Sequence, residues 1–552
     1  MQAVPPMQPS SKIRLALPYV LMLLGAGVFR LWVLAQPQRI VWGDEPFYLW
    51  LGRNWLTGRG YSFTGYADVH HTPMYPFLSG LFYLLTGNME VASNICYVLF
   101  GALLVLPIFG IARELYGRGV GYVSAALVAV YPAIATAPLY WGTLTEPPYY
   151  LFVYSGLWAA LLALRRERAA WAFLLSGALF GLAYLTRPEA IAYVAVVGAV
   201  VVMVRLVERR LFCRPTVIGL ALFALGFAIF FGSYAYYVYR ETGSWMVSEK
   251  AGVTFITCIG LSEGDTAAFD RATWGLDSTG LEVFFFSRES YHISMIEIIL
   301  AQPQAFVQLV VRNLRRFIGS LLATRLFSFY FLSVMGLAFF KRSWDKSRAK
   351  AEMLLLGSLL PVSAFLLFFI QDRYIATLLP TLVIWLSLGI YEVGVWLRET
   401  VGNLTEGFRL PRYWRAVATV LPALLLFVAL LFLQPRTISL YTTIGSFRPE
   451  HKSLGLWMKD RVNRDSVVMS RYPTIAFYAD SLWEPTPNAE FAQVLAYARA
   501  NHVDYFVLDE LETKELRPQL AWLLDERVAP PDLELVHTYP SPHGKLVIYR
   551  VR

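Results

Sequence analysis

The feature that most constrains this chain is a succession of apolar runs, each close to the roughly 20 residues a helix needs to cross a hydrocarbon core. They fall near 15–35, 90–112, 119–140, 144–164, 171–187, 189–205, 216–238, 326–340, 353–371, 374–397 and 416–434. About eleven spans put the two ends of the chain on opposite sides of a membrane. Of the 552 residues, 16% are charged and 57% hydrophobic, against about 25% charged in an ordinary soluble domain. A soluble or disordered protein is excluded.

The net charge of +9 does not indicate nucleic acid, because the basic residues punctuate the apolar runs instead of gathering on one solvated face. Lys and Arg concentrate in alternate short connections, such as Arg165, Arg166 and Arg168, or Arg205, Arg209, Arg210 and Arg214. Cationic loops stay cytoplasmic, so the N-terminus is expected in the cytoplasm and segments 36–89, 239–325 and 435–552 outside, in a cell (inner or plasma) membrane. The first run lacks a small-residue cleavage site and reads as a retained anchor. Cys96, Cys213 and Cys258 have no metal or disulfide spacing.

Two stretches of the first outer segment, 47–56 and 73–85, are apolar but too short to span and suit interfacial helices. A helix over 305–322 carrying Arg312, Arg315 and Arg316 suits the same position. From about Arg448 the composition becomes that of a soluble α/β unit with strands expected at 466–470, 503–508, 533–538 and 545–551. The expected division is thus a transmembrane domain, 1–440, and an extracytoplasmic domain, 441–552, which shows no nucleotide or nucleophile motif.

An ionisable residue at the mouth of a span needs a partner, water or a purpose. Asp44 and Glu45 lie in Trp-Gly-Asp-Glu-Pro-Phe-Tyr at 42–48, just beyond the first run. Asp44 can be the N-cap of a short helix with Pro46 in its first turn, and one of the two carboxylates can act as a general base on an acceptor hydroxyl; capping and catalysis are compatible. His70, His71 and Tyr75 lie in Val-His-His-Thr-Pro-Met-Tyr-Pro-Phe at 69–77; adjacent histidines are poor partners for one metal ion and suit an anionic ligand better. Glu146, Arg187 and Glu189 occupy outer span ends and can tie helices together or form an anion site. Arg373 and Tyr374 sit in a tight outer turn, where Arg can snorkel to headgroups or clamp a phosphate. These residues converge on one membrane face, which fits an amphiphile with a phosphate head.

The motifs Gly43-Asp44-Glu45 with Tyr48, His70-His71-Thr72-Pro73-Met74-Tyr75-Pro76-Phe77, Thr145-Glu146-Pro147, Leu185-Thr186-Arg187-Pro188-Glu189 and Arg373-Tyr374 resemble, in order and side, those of GT-C glycosyltransferases that use polyprenyl-phosphate sugars. That group includes protein O-mannosyltransferases and lipid A aminoarabinose transferases. The resemblance covers nearly the whole chain and implies a GT-C fold with a C-terminal α/β domain, Asp44 as catalytic carboxylate and Glu45 orienting the acceptor or the site. Donor phosphate and sugar are then expected at His70, His71, Tyr75, Glu146, Arg187, Glu189, Arg373 and Tyr374. His71 and Thr72 depart from the bacterial pattern, which has a phosphate-binding Lys and a Pro there; charge neutralisation falls more on Arg187 and Arg373, or the donor differs.

The expected activity is inverting transfer of a sugar from a polyprenyl-phosphate donor to a hydroxyl of a lipid, glycan or protein, within membrane lipid and without nucleic acid. No cofactor is required by a motif, and a divalent metal is left open. The alternative is a transporter or flippase of a phospholipid-linked glycan, for which inverted repeats and broken helices are not evident in the sequence.

Overall fold

A computed structural model describes residues 9–35, 39–63, 66–139, 141–142, 145–166, 170–262, 270, 273–322, 326–341, 343–404 and 448–552, with isolated positions between 411 and 429. The chain opens with α1 (Pro9–Leu34), followed by two short helices, α2 (Glu45–Leu56) and α3 (Met74–Thr86). The helical body continues through α4 (Met89–Leu103), α5 (Val105–Tyr116), α6 (Arg118–Val130), α7 (Pro132–Thr136), α8 (Glu146–Arg165), α9 (Ala170–Thr186), α10 (Ala190–Val207), α11 (Arg214–Thr242) and α12 (Lys250–Ser262). Further helices cover Met295–Ala301, Pro303–Leu322, Phe329–Lys341, Lys346–Gly357 and Leu379–Leu404.

Among the described residues, seven helices are long and apolar enough to cross a membrane, or up to nine if two bent pairs each count as one span. The differences from the eleven apolar runs have local causes. The run at 171–187 is α9, only 17 residues long, because the Arg187-Pro188 pair ends it. Residues 326–340 give a 13-residue helix, Phe329–Lys341. The run at 353–371 counts among the seven, within Lys346–Leu367, although at Pro361 it changes from α-helix to the tighter 3₁₀ segment Leu360–Leu367, as proline removes a donor from the helix ladder. The run at 119–140 is one of the bent pairs, Arg118–Val130 with Pro132–Leu139 at 49°; the other, Met295–Ala301 with Pro303–Leu321 at 106°, contains the helix expected at the interface and is not one of the eleven runs. The expected run at 416–434 lies largely outside the described residues.

The short helices α2 and α3 cross at two glycines. A Cβ on Gly52 would strike the Pro76 carbonyl oxygen, and one on Gly80 would fall 2.9 Å from the Gly52 carbonyl carbon. This backbone contact fixes the direction in which α2 leaves Asp44.

Residues 449–551 carry a five-stranded sheet of β1 (Val467–Ser470), β2 (Leu482–Pro485), β3 (Tyr505–Asp509), β4 (Leu533–Tyr539) and β5 (Leu546–Val551), in the order β2-β1-β3-β5-β4. β1 runs parallel to β2 and β3, whereas β5 runs antiparallel to β3 and β4. The four expected strands form within a few residues of their anticipated bounds. β2 was not expected: it is four residues long and ends in Pro485, which only an edge strand tolerates.

Two principal cores organise the chain. One lies among the helices and includes Tyr149, Tyr154, Tyr184 and Trp385. The other joins Val41, Trp42, Phe47 and Trp50, around the start of α2, to Val468, Trp483, Phe506 and Ile548 of the sheet. The sheet unit therefore shares its core with the segment that carries Asp44. Hydrogen bonds reinforce the contact, from Val41 N to Tyr478 Oη (2.8 Å) and from Lys452 Nζ to the Glu90 carboxylate (3.0 Å).

Candidate active site

The site begins at two facing corners. Gly43 and Gly142 have φ of +65° and +67°, and a Cβ on either would strike the backbone of the opposite corner, at Trp141 O or Trp42 O. Only glycine satisfies both the left-handed backbone and this approach. The contact delivers the Trp141 indole to Asp44, with Nε1 donating to Oδ1 at 3.4 Å. Asp44 precedes α2 but its side chain makes no capping hydrogen bond. Instead, Oδ2 faces Lys250 Nζ at 3.6 Å, and 31% of the side chain is exposed. Burial opposes ionisation of Asp44, but Lys250, Arg373 and His71 outweigh it and hold its carboxyl below the ordinary range.

Glu45 diverges from Asp44, as adjacent helical residues do by about 100°. It is wholly enclosed and paired with Arg39. Burial lifts its carboxyl to about 7 against the pull of Arg39.

Glu146, at the start of α8, is 1% exposed and lies between two guanidinium groups. Arg187 Nη1 donates to its Oε1 at 2.7 Å, and Arg373 Nη1 lies 3.8 Å from the same oxygen. Arg187 also meets Glu189 at 3.2 Å. Both guanidinium groups lie over the Tyr374 ring, 5.0 and 4.9 Å from its centroid. Arg373 donates to Gln371 Oε1 (2.7 Å) and to Tyr374 Oη (2.9 Å), and Tyr150 Oη holds its turn by donating to Arg373 O (3.0 Å). Planar guanidinium groups on an aromatic floor suit a phosphate oxygen cluster. Tyr48 bridges the parts of the site: its phenol is raised by burial and then by Asp44, while Arg187 and Arg373 pull it down.

The two histidines part company. The His71 ring packs edge-on to Tyr48, 4.9 Å between centroids, and its Nδ1 lies 3.2 Å from the Asp68 carboxylate. His70 points away and pairs with Glu249. Thr72 Oγ1 donates to Thr186 O at 2.8 Å, tying this segment to the Arg187 turn. Tyr75 is fully buried in a small cluster with Val33, Cys96 and Tyr97. The structure thus gathers Asp44, His71, Glu146, Arg187, Glu189, Arg373 and Tyr374, and leaves Glu45, His70 and Tyr75 in the surrounding wall.

Lys250, Trp141, Asp68 and Glu249 were not among the expected residues. Lys250 lies 206 positions from Asp44 and no spacing relates them. The charged pair Glu249-Lys250 before an apolar stretch was the only available signal.

Among the described residues, His451, Asp509 and Glu512 form a buried group with the chemistry and proximity to hold a metal ion, their ligand atoms lying within 4.8 Å of one another. Arg448 already pairs with Asp509, lies 3.6 Å from Glu512 and bonds Glu450 at 2.7 Å. The carboxylates are thus engaged by a guanidinium that competes with a cation. This group lies in the sheet unit and includes none of the residues around Asp44.

Residues 70–234 match the family described as dolichyl-phosphate-mannose-protein mannosyltransferase. That stretch holds His71, Glu146 and Arg187 but not Asp44, Lys250 or Arg373. No curated protein sequence matches the chain. Among solved structures, the oligosaccharyltransferase of Archaeoglobus fulgidus in its apo form superposes with a TM-score of 0.56 at 14% identity, over 97% of this chain and 74% of that one. The oligosaccharyltransferase AglB of Archaeoglobus fulgidus, in complex with an inhibitory peptide and a dolichol-phosphate, gives 0.51 at 14% identity over the same shares. ArnT of Cupriavidus metallidurans, bound to undecaprenyl phosphate, gives 0.56 at 14% identity over 96% of this chain and 97% of that one.

Proposed function

We propose that this chain, which has the GT-C fold of those structures, is a membrane glycosyltransferase that moves a sugar from a polyprenyl-phosphate donor to an acceptor hydroxyl. The observation that carries the reading is the juxtaposition of a partly exposed carboxylate, Asp44, with the Arg187–Glu146–Arg373 cluster. The family match and the polyprenyl phosphates bound by AglB and ArnT support the same donor class.

In this reading the donor phosphate lies against Arg187 and Arg373, with His71 and Tyr374 beside it. The acceptor hydroxyl gives its proton to Asp44 while its oxygen bonds to the sugar C1. The bond from C1 to the phosphate oxygen breaks, and its electron pair passes to that oxygen. Attack from the face opposite the phosphate inverts the anomeric carbon. The guanidinium groups stabilise the charge that develops on the leaving phosphate, a preorganised electrostatic effect. Glu45, held in the wall by Arg39, supports the backbone from which Asp44 projects.

The alternation of basic loops supports a cell-membrane location with the N-terminus cytoplasmic. In this reading the site and the α/β domain expected at 441–552, whose sheet shares a core with the segment carrying Asp44, lie on the extracytoplasmic side of the transmembrane domain, 1–440. The acceptor is a lipid, glycan or protein that carries a hydroxyl. The test is turnover of a panel of radiolabelled polyprenyl-phosphate sugars by the purified protein in lipid. One donor is expected to be consumed when an acceptor is present; binding of donors without turnover of any would favour a transporter.

A further inference from the structure

The mechanism above leaves Lys250 without a role, yet its position is closely determined. The chain from Val247 to Lys250 is pinned at two points, the second of them buried. Tyr184 Oη donates to Val247 O at 2.6 Å, and Glu249 pairs with His70, their side chains 0% and 3% exposed. The His70 ring is itself fixed, stacked on Phe285 (5.7 Å, 17°) and edge-on to Tyr291 (5.8 Å, 77°). Lys250 follows directly at the start of α12; its side chain is 28% exposed and its ammonium lies 3.6 Å from Asp44 Oδ2. A partly exposed ion pair of this length contributes little to stability. It does not hold the loop; the buried Glu249 beside it does.

A donor phosphate arriving next to Asp44 meets a like charge, while Arg187 and Arg373 are already partly neutralised by Glu146. An ammonium has three donors and no preferred plane, so Lys250 can bond a carboxylate and a phosphate oxygen together. We propose that Lys250 is a ligand of the donor phosphate, and that Glu249 and His70 are a positioning pair that holds it there. This inference rests on the transferase reading. During transfer Asp44 gains the acceptor's proton and loses its charge, while the phosphate oxygen gains the electron pair of the broken C1–O bond. Lys250 stands between the group that loses negative charge and the group that acquires it, and its attraction passes from one to the other without a large movement.

The test is binding of a polyprenyl phosphate, without sugar, to the full-length protein in lipid nanodiscs. Wild type binds; Lys250→Ala weakens binding about tenfold or more, the loss of one charge-assisted hydrogen bond, and Lys250→Arg retains most of it. Glu249→Gln or His70→Asn, at unchanged melting temperature, weakens binding by a similar factor and adds nothing in a Lys250→Ala background. Equal binding by wild type and Lys250→Ala would overturn the assignment while leaving the transferase reading in place. A full additional loss from Glu249→Gln in the Lys250→Ala background would overturn the positioning role. Absence of binding by wild type would remove the transferase reading itself.

Discussion

Arg187 and Glu146 are joined by a 2.7 Å hydrogen bond between the turn after α9 and the first turn of α8, and the same carboxylate oxygen serves Arg373 from a third element. One acid therefore sets the spacing of two guanidinium groups.

Replacing that acid exposes the arrangement's dependence on it. Glu146→Gln leaves two buried guanidinium groups without their shared counter-charge, and loss of one partner of a buried pair costs about 3–5 kcal/mol. A fall of several degrees in the thermal midpoint in detergent, together with weaker donor binding, is expected. An unchanged midpoint would show that Arg187 and Arg373 find their places without Glu146.

The pH dependence of activity follows from the charges on Asp44. Burial opposes its ionisation, and Lys250, Arg373 and His71 overcome that penalty, so the carboxylate is already ionised throughout the neutral range. The acid limb of the kcat/KM profile is expected below the ordinary aspartate value of about 3.9. Lys250→Ala removes the largest favourable charge, makes the carboxylate harder to ionise and moves that limb upward. A limb that stays in place in Lys250→Ala would show that the ammonium does not act on Asp44.

Glu45 makes the opposite contribution to stability. Its carboxyl is raised to about 7 in the folded chain, so between the unfolded value of about 4.3 and about 7 the folded state holds the extra proton. Stability from this group is greatest below that window, falls as pH rises through it and levels above it. Glu45→Gln is expected to flatten the dependence, as read from melting temperatures between pH 5 and 8; an unaltered slope would assign the dependence to other groups.

The crossing of α2 and α3 offers a steric test. In Gly52→Ala the new methyl meets the Pro76 carbonyl oxygen, whereas Gly232→Ala meets nothing within 4 Å. The first is expected to cost about 1–3 kcal/mol, the usual cost of overpacking, and to reduce turnover because α2 carries Asp44. The second is expected to leave both unchanged. Equal behaviour of the two variants in a thermal scan would contradict the contact.

Legibility in the sequence differed from residue to residue for physical reasons. Asp44, Glu146, Arg187 and Arg373 stand out because charge beside apolar runs is expensive and conspicuous. Lys250 does not, since its proximity to Asp44 is created by the folding back of a long segment. The adjacent histidines read alike, yet neighbouring residues need not face the same way, and the partners Asp68 and Glu249 that separate them come from different parts of the chain. Apolar runs identified the helical body but not all of its interruptions, because the apolar pattern continues across Pro361. The sheet unit was visible as a change of composition, whereas its core shared with Trp42 and Trp50 was not, because apolar residues carry no mark of which neighbour they will meet.

The most direct test of the central claim is the turnover of a polyprenyl-phosphate sugar by wild type and Asp44→Asn in the same lipid, with polyprenyl phosphate binding measured alongside. If Asp44 is the general base proposed, Asp44→Asn reduces turnover about a hundredfold or more while binding persists. Undiminished turnover by Asp44→Asn would contradict the account.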